Sequence, residues 1–258
     1  MSRLLDKLRA AARGVPPRIG FGSGGPPPKA PGIGLLAATA DLELARSATP
    51  LADAIVLRLA APPSDLSTQL NGVIYGLEAH PESAPPDLRT TGADFLVLGL
   101  EADAVALRLE EGAKLLRLPR EIPDGSLRAV STLPVDGILT AESLSSRLVV
   151  AELLHFLRLG ALSSRPLIVA VDPQFAPEQL VSLRDAGIAG VLLTLTGTDD
   201  LNVLERFRQA IDHFPQPPRK DRPLDRAVPL VTLPPPPPRP APEPDIPQPE
   251  TIPFPDDE

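Results

Sequence analysis

A closed (β/α)8 barrel is the fold class that the sequence predicts, an α/β chain with a helix ahead of the barrel and a disordered Pro-rich tail behind it. Three observations predict it. Eight short aliphatic runs alternate with helix-like segments across residues 32–214. Those runs are continuously apolar, as strands buried on both faces are, and do not alternate apolar with polar. Proline is concentrated outside that span: residues 215–258 hold 17 of the 35 prolines, a density at which neither helix nor central strand propagates, because each Pro removes a donor and fixes φ.

Taken in order, residues 2–13 (SRLLDKLRAAAR) place Leu4, Leu5, Leu8 and Ala12 on one helical face among basic residues, and Gly14, Pro16 and Pro17 end the pattern. Such a helix either closes the bottom of the domain or lies against a membrane surface or a partner. One short apolar stripe holds a membrane weakly, which favours closure. Residues 15–31 read as a Gly/Pro linker. Its Gly20–Gly25 stretch is followed by Pro26, Pro27 and Pro28 and not by a helix, so it lacks the context of a nucleotide-binding loop. The organisation is therefore 1–31, basic helix and linker; 32–214, barrel; 215–258, acidic Pro-rich tail.

The eight strand-like runs are Ile33–Thr39, Ala54–Leu59, Val73–Glu78, Asp94–Glu101, Lys114–Leu118, Val135–Thr140, Leu167–Asp172 and Val191–Thr196. Small-residue entries such as Thr91-Gly92-Ala93 and Glu111-Gly112-Ala113 precede several of them, as where a helix hands over to a buried strand. Helices are expected at Leu42–Ser47, Ala102–Glu111, Ser143–Leu159, Pro177–Ala186 and Asp199–Phe214, while the crossovers at 61–71 and 80–93 are short and contain proline. If Lys114–Leu118 were not a strand, the pattern would instead suit an open doubly wound sheet.

Composition removes several function classes. The chain has no Cys and no Trp, so disulfide scaffolds, thiolate nucleophiles and zinc knuckles are excluded. The three His, at 80, 155 and 213, are far apart. A net charge of −8 with 3% aromatic residues argues against nucleic-acid binding. No apolar stretch approaches the roughly 18–20 residues of a membrane span. Arg3, Asp6, Lys7, Arg9 and Arg13 interrupt any secretory h-region, so the expected location is the cytoplasm.

The alternation resembles TIM-barrel proteins at the level of architecture, over residues 32–214 and without pointing to one enzyme family. Within it, Pro166–Asp200 looks like the last two βα units of phosphate-binding-type barrels. The resemblance implies a site where the strand C-termini meet.

Strand parity then identifies the inward side chains. Gly76, Glu78 and His80 share one parity in the third run, and Val97, Gly99 and Glu101 share one in the fourth. The same argument adds Arg58, Arg117, Asp172, Thr194 and Thr196, with Asp41 and Glu121 just beyond strand ends. One reading is a divalent-metal-assisted lyase or isomerase acting on a small anionic metabolite. Glu78, Glu101 and Glu121 would hold Mg2+, a hard cation that prefers oxygen ligands. Glu78, Glu101, His80 and Asp172 would supply acid and base, and Arg58, Arg117, Thr194 and Thr196 would bind substrate.

The other reading is a non-catalytic barrel. Arg58 would pair with Glu78 and Arg117 with Glu101 to fill the mouth, and the tail would bind a protein partner through Pro234, Pro237 and Arg239 in a PxxPxR pattern. Named barrel chemistries fit less well. Glu101 and Asp172 have glycosidase topology, but no Trp and one Tyr make a poor sugar cleft. Lys114 lies at the wrong strand end for a Schiff base, and Thr39-Ala40-Asp41 replaces the His-x-His of amidohydrolases. Gly197 and Thr198 suit a phosphate loop, but Asp199 and Asp200 would repel phosphate while capping the following helix.

Overall fold

Each of the predicted runs forms a strand in the computed structural model, which describes residues 2–13, 32–63, 65–70, 72–81 and 84–215. The expected linker at 15–31 and the tail from residue 216, with its PxxPxR pattern, lie outside the described residues. The strands are β1 (Gly34–Thr39), β2 (Ala54–Leu57), β3 (Tyr75–Glu78), β4 (Phe95–Leu98), β5 (Ala113–Leu118), β6 (Gly137–Thr140), β7 (Leu167–Val171) and β8 (Gly190–Thr194). They are parallel, neighbours in space follow neighbours in sequence, and β8 pairs with β1 to close the barrel. Nearly every strand residue is buried, because aliphatic side chains leave both faces and each face has a core to enter.

Those two cores are distinct. Leu36, Ala38, Val56, Phe95, Val97, Leu115, Leu139, Ile168 and Leu192 fill the inside of the barrel. Alternate residues such as Leu35, Ile55, Leu77, Leu96, Leu116 and Val169 meet the surrounding helices. Gly76 has a packing reason: a Cβ there would collide with the Phe95 ring, which lies across it.

The helix α1 (Arg3–Arg13) is the barrel's floor. Its Leu4, Leu5 and Leu8 belong to the interior core, and Leu8 presses on the sites where Gly34 of β1 and Gly190 of β8 would carry a Cβ. Asp94, just before β4, caps it: its carboxylate accepts hydrogen bonds from the Ser2 hydroxyl (2.6 Å), the Arg3 amide (2.9 Å) and the Leu4 amide (3.0 Å). A carboxylate at a helix N-terminus satisfies orphan N–H groups and complements the macrodipole. Asp53, before β2, ties the same end together, accepting from the Leu35 amide and pairing with Lys7 and Arg208.

Outside the barrel run α2 (Leu42–Ala48), α3 (Leu66–Gln69), α4 (Leu88–Thr91), α5 (Asp124–Val130), α6 (Val150–Ser163), α7 (Leu180–Asp185) and α8 (Asp199–Asp212). Two expected helices differ. Only Ala104–Arg108 of the span Ala102–Glu111 is helical, and it is a 3₁₀ turn. Extending it would set Glu110 and Glu111 at its C-terminal end, where the dipole disfavours acids. The span expected to be helical from Ser143 begins helically only at Val150, because Leu144 first bridges to Val171, donating its amide to Ala170 and accepting from Asp172. Among the described residues no helix is long and apolar enough to cross a membrane.

Candidate functional site

The barrel mouth is built by residues that follow or end β2, β3 and β5. Parity turns Gly76 and Glu78 of β3 inward, beside Ala54 and Val56 of β2 and Leu115 of β5. Arg58 continues the β2 ladder one residue past its end, its amide donating to the Thr39 carbonyl at 2.9 Å, and lies level with Glu78. Arg117 stands one inward position above Leu115, which faces Val97, the partner of Glu78.

All three side chains meet on Glu78. Arg58 donates its Nε to Glu78 Oε2 at 2.9 Å, and Arg117 donates Nη1 to Oε1 and Nη2 to Oε2, the latter at 3.0 Å. The second contact is a fork on a carboxylate, the strongest geometry an arginine offers. The group is partly exposed, with side-chain accessibilities of 34% for Arg58, 23% for Glu78 and 21% for Arg117. Its summed formal charge is positive.

Arg117 therefore pairs across β4 with Glu78 and not, as expected, with Glu101. Strand β4 ends at Leu98, and a Cβ at Gly99 would meet nothing within 4 Å. Glu101 lies beyond the strand end and is exposed. Glu121, after β5, is exposed as well. The structure does not bring Glu78, Glu101 and Glu121 together. Among the described residues no group of three or more His, Cys, Asp and Glu side chains is placed to hold a metal ion. The residues present do not fit a magnesium site, because Glu101 and Glu121 are not grouped with Glu78, and Glu78 itself is held by two guanidinium groups.

The remaining predicted residues lie around the rim. His80 is exposed past β3, and Asp172, after β7, accepts the Gln174 amide at 2.8 Å. Thr194 is half-buried at the end of β8. Thr196 is exposed and engaged: its amide (2.7 Å) and hydroxyl (3.0 Å), with the Gly197 amide (3.2 Å), donate to Asp200 Oδ2. Asp200 thus occupies donors that a phosphate loop would offer a ligand. Burial raises the pKa of this carboxyl, but the three hydrogen bonds outweigh it and hold the group below the ordinary value.

A second polar group escaped the sequence reading. Arg120, Glu142, Ser143, Glu152 and His155 line a cavity of about 30 Å3 beside the β5 and β6 ends, room for one or two waters. Glu142 accepts the Arg120 amide at 2.9 Å, and Glu152 accepts the Val149 amide at 3.1 Å while facing Arg120 Nη1 at 3.6 Å. Burial, then Arg120 and Arg158, lower the His155 pKa against the pull of Glu142. The only sequence signal for it is an acid two residues past a strand end, which is also where a loop-stabilising residue sits. A larger cavity, about 540 Å3, opens beside α1 at the opposite end of the barrel, lined by Asp6, Arg9, Asp94, Glu110, Glu111 and Asp136. Barrel enzymes work at the strand C-termini, so it is the wrong end for the mouth chemistry.

Fold and mouth together define a TIM barrel with an Arg–Glu–Arg cluster across its top. Solved structures of similar fold are KGPDC from Streptococcus mutans (10% identity, TM-score 0.53, covering 70% of this chain and 97% of that one) and 3-keto-L-gulonate-6-phosphate decarboxylase from Vibrio cholerae (15%, 0.52, 70% and 98%). A mutant tryptophan synthase alpha-subunit from Pyrococcus furiosus is similar to the same extent (13%, 0.53, 70% and 98%). At these identities the likeness is one of fold. No protein-family model matches the chain, and no curated protein matches its sequence.

Proposed function

We propose that the chain is a non-catalytic TIM barrel that serves as an interaction module. One observation carries this reading: both carboxylate oxygens of Glu78, the inward acid of the mouth, are bound by Arg58 and Arg117. A general base needs a free lone pair aimed at a substrate, and a metal ligand needs a free oxygen. Glu78 has neither. The rim acids support the same reading, since Asp41, Asp172 and Asp200 accept amides of their own loops. Partner contact is assigned to the Pro-rich tail, whose sequence, Pro234–Pro238 followed by Arg239, has the composition that aromatic grooves recognise.

The test is to compare interaction partners of three full-length proteins by crosslinking and mass spectrometry: wild type, a variant lacking 216–258, and Arg58→Met/Glu78→Leu/Arg117→Met. Partners that persist in the mouth variant and vanish with the tail support the module. Partners lost with the mouth and kept without the tail overturn it.

A further inference from the structure

The Arg–Glu–Arg cluster is unequal. Arg117 spends its fork on Glu78, whereas Arg58 spends only Nε, and its terminal amino groups make no hydrogen bond among the described residues. Those groups belong to a side chain 34% exposed at the mouth, fixed in place by its bond to Glu78. They also carry the charge that a single carboxylate cannot balance between two guanidiniums. A planar guanidinium with two free terminal amino groups matches the two oxygens of a carboxylate.

The rim sets the charge of the ligand. Asp41, Asp172 and Asp200 are acids that accept amides of their own loops, at 2.8 Å, 2.8 Å and 2.7 Å respectively. They oppose a polyanion, while a single negative charge is matched by the cluster's one surplus positive charge. We propose that the mouth binds a small monocarboxylate seated on the free terminal amino groups of Arg58, with Glu78 as the positioning counter-ion. The inference goes beyond the interaction-module reading and does not depend on it, since such a ligand is held whether or not anything reacts.

The probe is sodium acetate, titrated against the full chain at constant ionic strength with sodium chloride, and sodium phosphate as the polyanion arm. Acetate undergoes no reaction, so its binding is separable from any question of activity. The expected result is a saturable rise in Tm of about 3 °C at roughly ten times the dissociation constant. The rise is absent in Arg58→Gln and in Arg58→Lys, which keeps charge but loses the fork, and phosphate produces a smaller one. Should the variants fold poorly, the wild-type protein still decides: its Arg58 side-chain NMR resonances shift with acetate, while those of the surface residue Arg89 stay. Equal acetate stabilisation in wild type and both variants, static Arg58 resonances, or a larger rise with phosphate than with acetate would overturn the proposal.

Discussion

Glu78 is the residue on which the mouth depends, because it separates two guanidinium groups that would otherwise face one another. Removing one member of a buried charge group leaves the rest uncompensated, at about 3–5 kcal/mol when burial is complete, and partial exposure reduces this to about 2 kcal/mol here. Glu78→Gln is therefore expected to lower Tm by roughly 4–8 °C in calorimetry, and the apolar triple replacement Arg58→Met/Glu78→Leu/Arg117→Met to recover most of it. Recovery by Glu78→Gln alone would contradict this account.

Asp200 gives a pH-dependent counterpart. Its folded pKa lies below its unfolded value, so its contribution is present above the unfolded pKa and fades as pH falls through the folded one. Urea titrations should show wild type losing more stability than Asp200→Asn between about pH 5 and pH 3, with the two curves parallel above that window. The period-2 alternation made the inward placement of Arg58, Glu78 and Arg117 legible in the sequence. The pair of Arg58 with Glu78 was legible as well, but the partner of Arg117 was not, because it depends on how β4 is registered against β3 and β5, a property of strands joined in space. Parity carried past Leu98 to Glu101 failed because alternation holds only while the strand lasts.

Among the elements, α1 shows how a sequence pattern becomes a structural duty. Its short apolar face favours a domain floor over a surface anchor, and the sites at Gly34 and Gly190, side by side beneath Leu8, show where that floor seats. Leu8→Ala would open a cavity beneath the barrel, at a cost of about 2–4 kcal/mol, visible as a fall of roughly 5–15 °C in Tm. A loss no larger than that of a surface Leu→Ala control would show that the floor is dispensable. The strands were readable because each is a dense aliphatic run of four to six residues. The single-turn α3 and α4 and the seven-residue α5 were not, since helices so short have little periodicity of their own, and α3 and α5 lack the side-chain cap that marks the short α2. In α4, the Asp87 carboxylate accepts the Arg89 amide at 2.9 Å, Gly92 closes the turn at φ 72°, and the buried Tyr75 hydroxyl donates to the Thr91 carbonyl.

Over the whole molecule, the same caps sum to a charge pattern. Helices α2 and α4 and the 3₁₀ turn begin at the mouth, so capping acids Asp41, Asp87 and Asp103 gather there, while Arg46, Arg108, Arg128 and Arg184 mark the opposite ends of their helices or turns. Helix dipoles favour this distribution, so an acidic rim follows from building the fold and is not by itself a sign of a reaction. The floor has a consequence during synthesis. Leu8 leaves the ribosome before any strand, yet its seat lies on the seam between β1 and β8, which does not exist until Gly190 has emerged. At about 5–20 residues per second the nascent helix waits roughly 10–40 s with its leucines uncovered. A helix made ahead of the strands thus docks fully only after β8 has joined β1, and its docking registers that the ring has closed.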